Sequence, residues 1–288
     1  MNKKRDSLDT RTKIYIFLES LVPPIMLDLC LDSIITIKYF FKMIFFKTKK
    51  INLKNRSSKN AFLFATGPSI KDFKFDLAKN NDCFSVSNFY LHDFGRTNHI
   101  KGHFFAPYHK PLIKSEYIRW LQDSDRKLNK DTVIYLGENT KKLVEENKIF
   151  ENREIVYLSL EKGLVFGEIS DSRPILKPYS GPLMILPILI MMGYKKIFLC
   201  GCDHTVLKDY KKNVTNFYES AEELRSNATS NERWNSGILH HIDNMKKIIL
   251  QYRRYKLLAN RRSIEIYNLS NDSWIDEFPN MNNQEKDF

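Results

Sequence analysis

Cysteine is scarce in this chain, with only Cys30, Cys83, Cys200 and Cys202 in 288 residues. None is spaced C-x-x-C. Neither a zinc site nor a disulfide framework is supported, and the usage reads as cytoplasmic. Glycine is thin where a nucleotide loop would need it. The stretch "NAFLFATGPSIKDF", residues 60 to 73, leads an apolar strand into Thr66-Gly67-Pro68-Ser69 with a single glycine. That turn carries neither G-x-G-x-x-G nor G-x-x-x-x-G-K-[ST], so ordinary dinucleotide or ATP binding is not supported there. There is no zinc-finger spacing, no RRM-type aromatic signature and no basic recognition helix, so nucleic acid is not an expected partner. Paired acids at strand ends are few. Asp123-Ser124-Asp125 has a D-x-D form but falls in a charged stretch after an expected helix, reads as surface, and implies no metal.

What is present suits a folded α/β protein. Hydrophobic residues make up 42% and aromatics 13%, enough to bury a full core. The net charge of +12 is uneven: residues 1–59 hold 13 Lys/Arg against five Asp/Glu, an excess of eight. Within them, residues 21–46 are strongly apolar yet carry Asp28, Asp32, Lys38 and Lys42 inside an arc of roughly 120° on a helical wheel. Such charge density is too costly for a bilayer span, and no small-residue cleavage site marks a signal peptide. The segment reads as an N-terminal amphipathic helix that either lies on anionic headgroups or packs on the domain or a second subunit. The expected organisation is thus a basic segment 1–59 followed by a domain over 60–288.

From residue 60 the pattern alternates. Strands are expected at 61–65, 83–87, 102–106, 132–136, 155–158, 196–200 and 264–269, and helices at 70–77, 111–122, 139–147, 181–192 and 238–260. Continuous apolar strands separated by helices predict a doubly wound, mostly parallel Rossmann-like sheet covered on both faces. Ligands of such sheets lie beyond the carboxyl ends of the strands.

Four places after strands carry candidate chemistry. Thr66, Gly67, Pro68 and Ser69 offer backbone N–H groups and hydroxyls to an anion, against the alternative of a plain strand-to-helix turn. Asn88, after the second strand, either reads a base or ribose or makes a local turn. Ser180-Gly181 opens an apolar helix that passes Gly193 at its C-cap and enters a strand ending in Gly201-Cys202-Asp203-His204-Thr205, which brings Ser180, Gly181, Asp203 and Thr205 to one sheet edge. His240-His241 opens a long helix, where a neutral imidazole can serve as a base or simply face solvent. A polar connection over about 206–237 reads as a lid, whose Lys211, Lys212, Arg225 and Arg233 can meet an acidic ligand or remain solvated.

The order G-P-S after strand one, S-N-x-Y after strand two, S-G opening an apolar helix and G-Y-K-x-I-x-L-x-G-x-D thereafter resembles the bacterial CMP-sialic acid-dependent sialyltransferases of glycosyltransferase family 42. It is also similar to the wider group described by likeness to a hydroxymethylpterin diphosphokinase. The likeness spans roughly residues 60 to 270. It implies a GT-A-like variant of the sheet with Gly67, Pro68 and Ser69 beside the CMP phosphate and ribose, Asn88 on the nucleotide, and Ser180 and Gly181 on the cytosine side. It also implies a catalytic histidine in the region of His240 and His241. The sequence departs from that pattern in several places: Ala106 stands where the family has Asn before Pro107, Lys177 stands for its Arg, Tyr179 for its Thr, and Thr205 for its phosphate-binding Tyr. Tyr210 or Tyr218 from the lid is placed to substitute for that tyrosine.

The expectation is therefore an inverting glycosyltransferase that moves an acidic sugar (sialic acid, another nonulosonate or Kdo) from a CMP-activated donor to a cell-surface or lipid-linked glycan. It needs no cofactor or metal, works as lone chain or homo-oligomer, and sits in the cytoplasm at the inner face of the membrane. The alternatives are an ATP- and Mg-dependent diphosphokinase-like enzyme and a non-catalytic member of the fold.

Overall fold

The computed structural model describes residues 33, 34, 37, 51, 53, 56–97, 100–108, 112–161, 169–225 and 231–281. The expected amphipathic helix over 21–46 lies outside these apart from helical backbone at 33, 34 and 37. In chain order the elements are β1 Asn60–Phe64, β2 Asp82–Val86, α1 Asp93–Thr97, β3 Gly102–Phe104, α2 Lys114–Lys127, β4 Val133–Gly137 and α3 Lys141–Glu146. These are followed by β5 Ile155–Leu158, the short β6 Leu160–Glu161 and β7 Ile175–Leu176, α4 Pro182–Met192, β8 Lys196–Cys200, α5 Gly237–Arg261 and β9 Glu265–Asn268.

Seven strands form one sheet in the order β5-β4-β3-β2-β1-β8-β9, with every neighbouring pair parallel. Strand side chains alternate between faces, and here both faces are covered. Ala61, Leu63, Phe84, Val86, Ile197 and Leu199 pack beneath α4 and α5. On the opposite face Phe62, Phe64, Cys83 and Phe198 meet an aromatic cluster, while Ile134 and Leu136 meet α2 and α3. Phe62 stacks on Phe198 at 4.8 Å and Phe64 on Phe89 at 4.9 Å between ring centroids. Each such fully buried side chain contributes about 1.5–3 kcal/mol, which is why the strands read as unbroken apolar runs.

Helix α4 is buried along Pro182 to Ile190. Pro182 stands in its first turn, where a missing N–H costs nothing, and Gly193 ends it at φ 73° in the left-handed region, as the sequence led us to expect. The helix expected over Ile70–Leu77 does not form. Two 3-10 turns, Pro68–Asp72 and Phe75–Ala78, flank an extended Phe73 instead. Phe73 and Phe75 both pack on Phe64, at 5.6 and 5.5 Å. On an α-helix, residues two apart diverge by about 200°, so one of the two rings would be turned out of the core. Helix α2 also runs further than expected and takes in Asp123 and Asp125. Asp123 pairs with Lys127 at 2.8 Å and Asp125 with Arg153 at 2.6 Å, so both D-x-D carboxylates are bound to cations. No helix among the described residues is long and apolar enough to cross a membrane.

At the amino end of the sheet, residues ahead of β1 join the packing. Ile51 is buried in the core, and its N–H donates to the Asp171 carbonyl at 2.8 Å. The buried Asp82 carboxylate accepts from the Ser57 N–H at 2.9 Å, Tyr194 Oη at 2.7 Å and Lys101 Nζ at 2.9 Å. Burial alone would raise its pKa, but the bonds from Tyr194, Lys101 and Ser57 outweigh burial and hold it below the ordinary 3.8. A depressed carboxylate stabilises the fold above its unfolded pKa, and that contribution is lost as pH falls through the folded value. Asp82→Asn, which leaves Lys101 buried without its counter-charge, is expected to cost about 3–5 kcal/mol at pH 7. In urea titrations the gap from the parent protein should narrow as pH drops below 3.8; a gap independent of pH would count against the charged pair.

Candidate functional site

The strand order reverses at β1, since β2 to β5 are laid down on one side and β8 and β9 on the other. Such a switch point opens a crevice between the diverging turns at the carboxyl ends. Here the turns after β1 and β8 are pinned together. The Ala65 N–H donates to the Cys200 carbonyl at 2.8 Å and the Gly67 N–H to the Gly201 carbonyl at 2.9 Å. A Cβ on Gly67 would lie 2.5 Å from Asp203 Oδ2 and 2.6 Å from the Gly201 oxygen, so glycine is required for this close approach. Gly201, at φ 69°, is required for its conformation as well. The Asp203 carboxylate is buried and accepts from the Ser69 N–H at 2.8 Å and from the Ser69 hydroxyl.

These bonds narrow what the 66–69 turn can offer an anion. Pro68 has no N–H, and the N–H groups of Gly67, Ser69 and Ile70 all donate within the protein. With the helix after β1 replaced by a five-residue 3-10 turn, no α-helix N-terminus follows this turn. Ser69 and Asp203 act on each other and shape the floor of the crevice.

Above that floor lies a cavity of about 390 Å³ bordered by Thr66, Gly67, Pro68, Ser180, Gly181, Asp203 and Thr205. A second cavity of about 440 Å³ is bordered by Ala106, Lys177, Asn244 and His241. Tyr179, Ser180, Gly181, Val206 and Ile248 border both, making them two arms of one cleft. Gly181 sits tightly against the end of β2, where an added Cβ would fall 2.7 Å from Val86 Cγ2. The Tyr179 N–H donates to Gln251 Oε1 of α5 at 3.1 Å, which straps the loop before α4 to that helix.

Asn88 does not reach the cleft. It is fully buried, its Nδ2 donates to Glu223 Oε2 at 2.8 Å, and its Oδ1 accepts from Trp120 Nε1. Its neighbour Ser87 borders the first arm, held at φ 58°. Buried His103 keeps Ser87 there: its Nε2 donates to the Ser87 carbonyl at 2.9 Å, and its Nδ1 accepts from Ser85 Oγ at 2.7 Å. Those partners fix a neutral tautomer, consistent with burial pushing the imidazole pKa down to about 3.

The expected lid supplies one wall. Phe217 donates its N–H to the Thr66 carbonyl at 3.3 Å. Buried Glu223 accepts from Arg225 Nε at 2.7 Å and Nη2 at 2.8 Å, and from Tyr218 Oη at 2.9 Å. The Arg225 guanidinium lies 3.9 Å over the Trp120 ring, in reach of Ser87 Oγ at 3.4 Å. Burial would raise the Glu223 pKa, but Arg225 and Tyr218 hold it below its ordinary value. Arg225 and Tyr218 border the first arm; Tyr210 instead packs edge-on to Trp234 at 5.2 Å. Lys211 lies over Tyr210, and the side chain of Arg233 is outside the described residues.

The two candidate histidines separate. His241 borders the second arm and packs against Trp234 at 4.8 Å, whereas exposed His240 bonds Asn244 of its own helix at 2.8 Å. His204, which sequence reasoning passed over, borders the first arm. Its Nε2 bonds Tyr252 Oη at 2.9 Å, and burial pushes its pKa down to about 4. Its place between Asp203 and Thr205 was the available signal. Glu223, Gln251 and His103 had none, because each acts through distant partners.

No protein-family model matches this chain, and no curated protein does. Among solved structures the chain is similar to the sialyltransferase CST-II. A substituted form in complex with CMP shares 18% identity over 78% of this chain and 86% of that one, with a TM-score of 0.45. The complex with a trisaccharide acceptor and CMP shares 15% over 77% and 85%, at 0.43. A second substituted form with CMP shares 19% over 77% and 86%, at 0.45.

Removing one partner of a buried ion pair strands the other charge. Arg225→Ala is therefore expected to cost about 3–5 kcal/mol in chemical denaturation, and the double variant Arg225→Ala/Glu223→Gln should recover part of the loss. Equal stability of the single and double variants would show that the pair does not hold the wall.

Proposed function

We propose that this chain is an inverting glycosyltransferase that moves an acidic sugar from a CMP-activated donor to a glycan hydroxyl, with His241 as the base. The observation that carries the reading is the two-armed cleft at the β1/β8 switch point. An arm bordered by Thr66, Gly67, Ser180, Gly181 and Arg225 runs into an arm bordered by His241. The ordered motifs between residues 60 and 205 support the choice of donor. The first arm takes the nucleotide, and the sugar lies at Tyr179–Gly181, where the arms meet.

In the transfer, the acceptor oxygen bonds to the anomeric carbon while the bond from that carbon to the phosphate oxygen breaks, and CMP leaves with the electron pair. The acceptor proton passes to His241. Trp234, bonded through Nε1 to the Lys212 carbonyl at 2.9 Å, holds the ring from one side. His204 is the poorer base: a group with a pKa of about 4 has little proton affinity at neutral pH. Since Gly67, Ser69 and Ile70 donate their N–H groups internally, the leaving phosphate falls to Arg225 and the hydroxyls of Thr205 and Ser87. Among the described residues Arg225 is the only Lys or Arg bordering that arm. Its fixed guanidinium suits charge that develops on a phosphate.

Thermal unfolding with CMP, UDP, GDP and ATP/Mg²⁺ in parallel tests the donor. Ligand that binds only the folded state stabilises it by about 2.7 kcal/mol at a hundredfold excess over Kd, so CMP is expected to raise Tm and the others are not. A rise with ATP/Mg²⁺ and none with CMP would overturn the reading in favour of a diphosphokinase-like enzyme. With a CMP-activated acid sugar as donor, His241→Ala is expected to lower kcat by about 10²–10⁴, whereas His240→Ala leaves it within a few-fold. The reverse ranking would reassign the base.

A further inference from the structure

The outward face of α5 has a composition that solvent alone does not explain. Leu239, Ile242, Leu250 and Leu257 are 76, 50, 48 and 57% exposed. At about 100° per residue, Leu239, Leu250 and Leu257 fall within about 20° of one line, with Ile242 beside it. That line is opposite Tyr252, Tyr255 and Ala259, which are buried against the sheet. Cations border the stripe on both sides: Lys246 on one, Arg254, Arg261 and Lys247 on the other, with Asp243 the lone acid of the helix. Arg253, also on this face, is bonded to Glu277 at 2.7 Å. Single exposed leucines are ordinary, but an apolar line flanked by lysine and arginine along one helix is the pattern of an interfacial surface.

We propose that this face of α5 docks on an anionic lipid bilayer. Charge decides among the occupants. A second copy related by a two-fold axis would bring the same cations against themselves. The chain's own apolar segment 21–46 carries Asp28 and Asp32 against Lys38 and Lys42 and offers these cations no net negative charge. Nucleic acid would satisfy the cations but not the leucines between them. A bilayer with anionic headgroups satisfies both, since headgroups meet the lysine and arginine ends while the leucines enter the acyl boundary. Docked in this way, the cleft arm bordered by His241, on the inner side of the same helix, stands about one helix diameter, about 10 Å, from the surface. The inference is independent of the sugar transfer proposed above: binding to vesicles and stabilisation by CMP are separate readouts, and either can fail alone.

The test is co-flotation of the full chain with phosphatidylcholine vesicles and with vesicles containing phosphatidylglycerol, at 0.15 M salt. The parent protein should float with the anionic vesicles. The variant Leu239→Glu/Leu250→Glu/Leu257→Glu, which touches no buried residue, should lose at least tenfold in partitioning with an unchanged Tm. Equal flotation of parent and variant, or no flotation of the parent, would overturn the proposal. So would duplex DNA binding that survives the leucine changes and is abolished by Lys246→Glu/Arg261→Glu, which would mark the face as a nucleic-acid surface.

Discussion

The Asp203 carboxylate, held between the Ser69 N–H and hydroxyl, is the bond on which the cleft depends. A parallel sheet that reverses its winding leaves the turns after β1 and β8 leading away from each other, and nothing in the strand ladders holds them in register beyond their ends. Two backbone bonds, Ala65 to Cys200 and Gly67 to Gly201, extend the pairing, and Asp203 closes it. The closeness of these turns forbids any side chain at Gly67, and the N–H groups of Gly67 and Ser69 are engaged within the protein.

That wall is built from the far side of the sheet. Trp120 of α2 supplies a ring for the guanidinium and a hydrogen bond for Asn88, and Asn88 passes a second bond to Glu223. Charge and hydrogen bonding compensate one another within this cluster: Glu223 has at least three donors and Arg225 a bidentate partner plus a ring. A buried pair with every bond satisfied is one that can be tolerated away from water. Ser87, at a left-handed φ that a serine adopts at some cost, is kept in place by the neutral His103 beneath it.

Much of the fold was legible because it rests on local rules. Unbroken apolar runs predicted strands buried on both faces, and the Gly193 cap, the apolar α4 and the long α5 all formed as expected. The helix after β1 was misread because Phe73 and Phe75 obey a tertiary demand, joint contact with Phe64, that overrides helical spacing. The site was legible in outline and less so in its roles. Gly67, Ser180, Gly181 and His241 do border one cleft, since each follows a strand or opens a helix. Asn88 and Ser69 instead bind other side chains, and a sequence does not tell a polar residue that faces a ligand from one that faces a partner more than a hundred positions away. Glu223 shows the same blindness from the other direction, being an acid in a polar loop that turns out to be buried.

The bonds from Tyr218, Glu223 and Arg225 to the sheet edge also bear on affinity. Ordering a residue's backbone costs roughly 1–2 kcal/mol, and in a loop that closes only over its ligand, that cost is subtracted from binding. Here the segment is already fixed by its own aromatic and ionic contacts, so the loss of freedom falls on folding. The wall stands in place before any ligand arrives, and no ordering of this segment is left to be subtracted from binding.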